Sequence, residues 1–330
     1  MDVDALSRGI LEGNRRDLAR AITLIESARS DHRADAETLL RTVTESARQS
    51  VRIGLSGTPG VGKSTFIDAF GMFLIGLGLR VAVVAVDPSS VRTGGSILGD
   101  KTRMARLSRE KNAFIRPSPS KCVLGGVARH TRDAITLCEA AGFDVVLVET
   151  VGVGQSEIHV ADMSDLFILL LAPAGGDELQ GVKRGIMEMV DLVVVNKADG
   201  DLHDAAVRTA ADYASALHLL RKRSQDPDGF PATSLVSSLE GKGLDDVWTQ
   251  VGALIDWRRE NGFFEAQRLD QATRQFQEDL REKVMARLLD KPGVEDKIAK
   301  LAAEVARGSR LPGAAVNEIL NQILESEDDG

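Results

Sequence analysis

Short apolar runs alternate with helical patterns through the middle of the chain, from about residue 49 to 262. Four of these runs are Val81–Val86, Val145–Val148, Leu166–Leu171 and Leu192–Val195. They are short enough for strands, and the segments between them repeat apolar residues at helical spacing. Strands without polar alternation are typical of a mostly parallel sheet that helices cover on both faces. The pattern therefore predicts one α/β domain over residues 49–262.

Both ends of the chain have helical patterning alone. Residues 1–48 are rich in charge, and Leu18, Ile22 and Ile25 recur at the spacing of one helix face. Residues 263–330 repeat apolar positions in the same way, and two Pro-Gly pairs interrupt them. We therefore predict an N-terminal helical extension over 1–48 and a C-terminal helical arm over 263–330.

Composition narrows the class of protein. The chain has 330 residues, a net charge of −8 and 43% hydrophobic residues, which is enough for a sizeable core. The acidic balance argues against a nucleic-acid-binding protein, which needs basic residues to neutralise phosphates. No apolar run approaches the ~20 residues of a membrane span, and the stretch MDVDALSRGI has neither a secretory-signal nor a transit-peptide profile. The two cysteines have no metal-type spacing. Taken together, the charge balance, the short apolar runs and the N-terminal profile lead us to expect a cytoplasmic protein that binds neither nucleic acid nor membrane.

The octet GTPGVGKS, residues 57–64, has the P-loop spacing that holds a triphosphate. A β-prone stretch precedes it and a helix-prone stretch follows, so its glycines lie at a strand-to-helix turn where backbone N–H groups converge on an anion. We expect Lys63 to reach the β- and γ-phosphates and the Ser64 hydroxyl to bind Mg²⁺. The predicted phosphate-binding residues are Gly57, Pro59, Gly60, Val61, Gly62, Lys63, Ser64 and Thr65.

The tetrad NKAD, residues 196–199, directly follows a predicted strand, and the carboxyl ends of strands are where open α/β sheets bind ligands. The Asp199 carboxylate can accept hydrogen bonds from guanine N1–H and the 2-amino group. Adenine offers neither donor and would leave the carboxylate unpaired, so the tetrad favours GTP over ATP. We expect Lys197 to lie over the base and Asn196 to tie this loop to the P-loop. Three further residues are expected to complete the base pocket through backbone N–H groups: Ser237, Ser238 and Leu239.

Three acidic residues compete for the Mg²⁺ site. Asp87 and Glu149 each end a predicted strand on the phosphate side, so each suits a role in holding the metal or positioning water. Asp100 belongs to a Gly-rich loop that can close over the phosphates. The alternative for each is a carboxylate that caps the next turn. The expected Mg²⁺ environment is Ser64, Asp87, Asp100 and Glu149, and the expected catalytic set is Lys63, Asp87 and Glu149.

Five motifs resemble one known family. In chain order they are VDPSSVRTGGSILGDKTRM, RPSPS, ETVGVGQSE, GGDELQGVKRG and NKAD. Together they resemble the MeaB/ArgK family, the GTPase chaperones of adenosylcobalamin-dependent methylmalonyl-CoA mutase. The resemblance covers roughly residues 5–260 and extends to the C-terminal arm only in helical character.

The resemblance implies a P-loop GTPase fold of the SIMIBI class, binding of GTP or GDP with Mg²⁺, and a homodimer formed through the C-terminal helices. It also implies a chaperone that gates cofactor loading and protects or reactivates the mutase. Gln155 stands two residues beyond the usual place of a water-orienting glutamine, so we favour a switch-loop contact over catalysis for it. A further switch over residues 175–185 is implied, with four polar members: Asp177, Glu178, Gln180 and Lys183.

Two other functions stay open on the residues alone. A GTP-dependent kinase would transfer the γ-phosphoryl group to a small molecule or a protein, and a metallochaperone GTPase of the nickel-insertion type would deliver a metal ion. The five histidines are scattered through the sequence without a pair at i,i+4 spacing, which argues against metal delivery. The resemblance also leaves open which acyl-CoA mutase is served.

Overall fold

The computed structural model describes residues 2–27, 29–45, 48–86, 104–116, 126–150, 156–173, 184–219, 222–289, 291 and 293–325. Its helices are α1 Val3–Leu11, α2 Arg15–Ile25, α3 Ser30–Thr44, α4 Lys63–Gly76, α5 Gly126–Ala140, α6 Ser156–Asp162, α7 Arg184–Met187, α8 His203–His218, α9 Leu244–Glu260, α10 Phe263–Leu289, α11 Val294–Ala306 and α12 Pro312–Glu325. Its strands are β1 Val51–Gly57, β2 Val81–Val86, β3 Ala113–Arg116, β4 Val145–Thr150, β5 Leu166–Leu171, β6 Leu192–Val195 and β7 Ala232–Leu235.

The seven strands of the described chain form one parallel sheet in the order β3-β2-β4-β1-β5-β6-β7. Every residue of β2, β4, β5 and β6 is buried, as expected for strands covered by helices on both faces. Because parallel strands run the same way, the loops after β1, β4 and β6 all lie at the carboxyl end of the sheet. The α/β fold with a mostly parallel sheet, predicted from the apolar runs, is confirmed.

The two faces of the sheet have separate hydrophobic cores. On one face α1, α2, α3, α5 and α8 bury apolar residues such as Ile10, Leu18 and Leu39, all at 0% exposure. On the other face α4 and α9 pack against the sheet, and the rings of Phe66 and Phe70 stack with centroids 5.3 Å apart. The N-terminal helices therefore share the core of the α/β domain.

The chain divides within α10 into two compact units, one running to Gln271 and the other starting at Ala272. The first turns of α10 belong to the α/β unit, where Phe264 is buried. In the second unit Leu301 of α11 and Ala315 of α12 are buried. No helix in the described part of the chain is both long enough and apolar enough to cross a membrane.

A network of buried ion pairs, called here the basal network, lies where the strands begin. Asp191 directly precedes β6, and Asp226 lies in the segment before β7. Arg258 of α9 donates to these two carboxylates at 2.6 and 2.7 Å and to the carbonyl oxygen of Asp165 at 2.6 Å. Arg223 donates to the same two carboxylates at 2.7 and 2.6 Å. Each buried carboxylate is therefore paired, as the desolvation cost of its charge requires.

The second half of the basal network ties α10 to the sheet. Arg268 donates to both oxygens of Asp165, at 2.9 and 2.8 Å, and to the carbonyl oxygen of Ser50 at 2.6 Å. Glu139 accepts from Arg52 at 2.9 and 2.7 Å and from Arg268 at 3.3 Å. Burial by itself would raise the pKa of Glu139. The hydrogen bonds and charge of Arg52, with the charge of Arg268 and a hydrogen bond from Ser50, outweigh burial and hold that pKa below its ordinary 4.5.

Candidate nucleotide-binding site

The loop between β1 and α4 has the backbone conformation that a P-loop requires. It connects Gly57, the last residue of β1, to Lys63, the first of α4. Gly60 and Gly62 have φ values of 87° and 88°, a region that residues with a Cβ rarely adopt. A Cβ on Gly62 would lie 2.8 Å from Nδ2 of Asn196, whereas one on Gly60 would meet nothing within 4 Å. Both glycines therefore permit the turn, and Gly62 also makes room for Asn196.

The start of α4 suits a bound phosphate. Gly62 is the N-cap and supplies no side-chain hydrogen bond, so the first backbone N–H groups of the helix are not capped by a side chain. Those groups and the positive end of the helix dipole attract an anion. Ser64 lies in the same turn as Lys63, and neither is fully buried. The residues present thus fit a triphosphate accompanied by Mg²⁺.

Two hydroxyl groups lie beside the P-loop lysine. Nζ of Lys63 is 3.5 Å from Oγ1 of Thr150, and Oγ1 of Thr150 in turn donates to Oγ of Ser56 at 3.1 Å. Thr150 ends β4 and Ser56 is the penultimate residue of β1, so pairing of these neighbouring strands brings them together. Our sequence reasoning gave neither residue a role. The available signal was a hydroxyl-bearing residue at the carboxyl end of a strand.

Asn196 connects the P-loop to the loop after β7. Its amide nitrogen donates to the carbonyl oxygen of Val61 at 3.0 Å. Its amide oxygen accepts from the backbone nitrogen and the hydroxyl of Ser238, at 3.2 and 2.7 Å. Asn196 is buried at 1% exposure, and both the nitrogen and the oxygen of its amide are hydrogen-bonded within the protein. The expected tie between the NKAD loop and the P-loop is thus present.

Lys197 makes a second contact between the two loops. Its Nζ donates to the carbonyl oxygen of Gly60 at 2.7 Å. Lys197 has φ = 58°, and a non-glycine residue in this region is uncommon and costs energy. The surrounding hydrogen bonds hold the backbone there and direct the side chain across the P-loop. This arrangement fits the expectation that the lysine stem lies along a bound base.

Asp199 accepts a hydrogen bond from the hydroxyl of Ser237, and this contact was not expected from the sequence. We expected the 237–239 segment to act through backbone N–H groups. The structure instead engages two of these groups within the protein: the Ser237 N–H bonds to the carbonyl oxygen of Lys242 at 3.1 Å and the Ser238 N–H to Asn196. Leu239 is 84% exposed. The segment therefore supports Asp199 through a side-chain hydroxyl.

Glu149 is buried at 3% exposure one residue before the end of β4, level with Leu55 of β1. It therefore lies near the same carboxyl end of the sheet as the P-loop. The remaining candidates fall outside the described residues: Asp87 and Asp100 of the proposed Mg²⁺ environment, and the switch residues Gln155, Asp177, Glu178, Gln180 and Lys183.

Comparison with known proteins agrees with this geometry. The family model for the methylmalonyl-CoA mutase-associated GTPase MeaB matches residues 18–293. A putative GTPase of Caulobacter vibrioides is 50% identical over 320 residues, 97% of each chain. The mitochondrial methylmalonic aciduria type A homolog of Mus musculus is 46% identical over 328 residues, which cover 96% of this chain and 79% of the mouse protein.

A solved structure described as a LAO/AO transport system kinase has a TM-score of 0.77 and 36% identity, over 98% of this chain and 97% of that one. The fold therefore extends along nearly the whole chain. The relatives named as GTPases agree with the P-loop geometry and with the Asp199 loop beside it, and the chain hydrolyses GTP. The protein belongs to the MeaB family of methylmalonyl-CoA mutase-associated GTPases.

Proposed function

We propose that the protein is a GTP-dependent chaperone of an adenosylcobalamin-dependent acyl-CoA mutase, most simply methylmalonyl-CoA mutase. GTP binding and hydrolysis would gate cofactor loading and protect or reactivate the mutase. The family match supports this class of partner. The observation that carries a switching role is Asn196, a single buried side chain bonded to Val61 of the P-loop and to Ser238 of the base loop. Because it joins both loops, the phosphates and the base act on one connected structure.

The proposed chemistry is in-line attack of water on the γ-phosphate of GTP. Lys63 neutralises charge that develops on the phosphoryl oxygens in the transition state. Ser64 and Glu149 are the described members of the proposed Mg²⁺ environment, in which Glu149, buried one residue before the end of β4, would act through a water molecule. Asp87 and Asp100 complete this set. Mg²⁺ held by these residues would neutralise negative charge on the phosphates.

A homodimer is part of the proposal, and an exposed apolar row in the second unit supports it. Phe276, Leu280 and Val284 of α10 are 66%, 51% and 54% exposed, and their spacing of four places them on one helix face. Exposed apolar rows of this kind mark protein–protein contacts. Sedimentation equilibrium should give twice the chain mass, and Leu280→Glu should give a monomer. The control Gln275→Glu, which lies about 140° around the helix from the centre of this row, should remain dimeric.

The function is tested with purified methylmalonyl-CoA mutase. We expect slow GTP hydrolysis by the protein alone and faster hydrolysis when the mutase is added, because contact with the partner would position the switch residues for catalysis. The affinity for the mutase should differ between the GDP-bound protein and the protein bound to a non-hydrolysable GTP analogue. Equal affinity in the nucleotide-free, GDP and GTP-analogue states, with hydrolysis indifferent to the mutase, would contradict the proposal. The cytoplasmic location stays a prediction.

A kinase is the second candidate, because the solved structure with TM-score 0.77 is described as a transport system kinase. The two functions differ in where the γ-phosphoryl group goes. With γ-labelled GTP and lysine, arginine or ornithine as acceptors, the chaperone proposal expects label only in inorganic phosphate. Label recovered in an amino acid or a protein would favour the kinase.

A further inference from the structure

The edge of the sheet at β7 offers free backbone groups. Among the described strands β7 pairs with β6 alone. The N–H groups of Ala232 and Val236 donate to carbonyl oxygens at the two ends of β6, at 3.1 and 2.9 Å. Alternate residues of a parallel strand bond to the same neighbour, so Thr233 and Leu235 direct their N–H and C=O groups to the other side. Gly243 lies against the carbonyl oxygen of Leu235, since a Cβ there would be 2.2 Å from it. Within the part of the chain that the structure describes, the N–H groups of both residues and the C=O of Thr233 have no backbone partner and can bond to an added strand.

Two helices wall this open edge and leave a cavity of about 530 Å³ along it. They come from opposite faces of the sheet, because α8 contributes to one hydrophobic core and α9 to the other. The α8 wall is apolar and mostly small, with Val207, Ala210 and Ala214 at helical spacing. The α9 wall is polar, with Asp246 and Gln250 one turn apart. The strand edge is therefore the floor of a slot with chemically different walls.

The open backbone groups of the slot select an extended chain. The four residues of β7 span roughly 13 Å at about 3.3 Å per residue. Only an extended segment laid along that length places its own N–H and C=O groups opposite those of Thr233 and Leu235. A helix uses its N–H and C=O groups internally and would leave this strand edge unpaired.

The walls also specify the occupant. Side chains of an added strand would alternate between α8 and α9. Those facing α8 must be small and apolar, whereas those facing α9 meet Asp246, which is exposed and has no ion-pair partner among the described residues. The four residues of β7 itself, Ala232–Leu235, include no lysine or arginine, so β7 of a second copy does not complement this acid.

We propose that the slot binds an extended segment of a partner protein as an eighth strand, with small apolar residues on one face and a lysine or arginine on the other. Backbone hydrogen bonds to Thr233 and Leu235 would supply affinity, and Asp246 with the α8 wall would supply selectivity. The surface lies away from the P-loop residues, so its occupant need not contact nucleotide.

The probe is a fluorescein-labelled, terminally blocked peptide of sequence Ala-Val-Lys-Val-Lys-Val-Ala, with a second peptide carrying Glu in place of Lys. Fluorescence anisotropy with the full-length protein should show saturable binding of the lysine peptide and at least about tenfold weaker binding of the glutamate peptide. Asp246→Lys should weaken the lysine peptide about tenfold. Asp245→Lys is the matched control, because the same charge change occurs one residue away and outside the slot, and it should leave affinity within about twofold.

Hydrogen exchange reports on the strand itself. Saturation with the lysine peptide should slow exchange of the Thr233 and Leu235 amides, and Thr233→Pro should abolish binding, because it removes an outward N–H and no bond to β6. An unchanged thermal midpoint and GTP hydrolysis rate would show that this variant is folded. Absence of peptide binding, equal loss in Asp245→Lys, or binding without protection of the two amides would overturn the proposal. A protein dimer that Thr233→Pro dissociates would overturn it in favour of pairing between copies.

Discussion

Charged side chains have different environments at the two ends of the strands: the basal network lies where the strands begin, and the nucleotide site lies where they end. Where the strands begin, Arg258 is 1% exposed, and its carboxylate partners Asp191 and Asp226 are buried at 4% and 3% exposure. Where the strands end, Lys63 and Asp199 are only half-buried, and the contacts described for them include the neutral hydroxyls of Thr150 and Ser237. The basal charges pair with one another away from water, whereas Lys63 and Asp199 lie where a ligand can approach them from solvent. The comparison separates charges that serve stability from charges that serve binding.

Removing a basal arginine should give the largest effect. Arg258→Ala leaves Asp191 and Asp226 buried with Arg223 as their shared partner, and breaking a buried pair costs about 3–5 kcal/mol. We expect that loss in the free energy of unfolding, measured by urea titration. The neighbouring Arg259 is exposed and lies over the ring of Phe264, so Arg259→Ala should cost about 1 kcal/mol or less. Equal losses in the two variants would refute the distinction between buried and exposed cations.

Removing the P-loop lysine should impair GTP hydrolysis and leave stability almost unchanged. Lys63→Ala should slow GTP hydrolysis about 10²–10³-fold, as loss of a charge-stabilising group does in other active sites. The free energy of unfolding of the nucleotide-free protein should change by only about 1 kcal/mol or less, because Lys63 is half-buried. Single-turnover hydrolysis and urea unfolding measure the two quantities. A stability loss comparable with that of Arg258→Ala would show that charges at the nucleotide site also stabilise the fold.

Much of the fold could be predicted because its strands are locally distinctive. β2, β5 and β6 were predicted with their observed bounds, since each is an uninterrupted apolar run. β3, with the sequence AFIR, was missed. It has four residues and lies at the edge of the sheet, so its pattern is too short to separate from a loop. The P-loop was predictable because its chemistry depends on residues adjacent in sequence.

The basal network could not be predicted for the opposite reason. Arg258 reads as a residue on the charged end of an amphipathic helix, and Asp226 reads as part of a polar loop. Their burial depends on three segments that are distant in sequence and meet only in the folded chain. The hydroxyl of Ser237 was missed for the same reason, because its partner Asp199 is supplied by another loop. Contacts across separate elements leave no local pattern.

Guanine recognition tests whether Asp199, at the carboxyl end of the strands, serves ligand binding. Asp199→Asn replaces a carboxylate that accepts two hydrogen bonds by an amide that accepts at one atom only. We expect GDP affinity to fall about 100-fold, because the 2-amino group then faces a second donor. Xanthosine diphosphate, with a carbonyl oxygen at that position, should bind the variant more tightly than GDP does. Calorimetry with both nucleotides measures this, and Asp201→Asn, at an exposed neighbouring carboxylate, should leave both affinities unchanged.

The smallest expected effect tests the basal network by titration. The pKa of Glu139 is held below its ordinary 4.5, so the folded protein binds this proton less readily than the unfolded chain. The stability that this shift provides is present above the unfolded pKa and is lost as the pH falls through the folded pKa. Glu139→Gln should therefore cost about 2 kcal/mol at pH 7, by weakening hydrogen bonds to Arg52 and Arg268. The difference from the wild type should stay constant down to about pH 5 and narrow below pH 4.5.

Urea titrations across this range measure the difference in the free energy of unfolding, with Glu37→Gln on the exposed side of α3 as the control that should follow the wild type. A difference that is independent of pH would mean that Glu139 stabilises the fold by its shape and not by its charge.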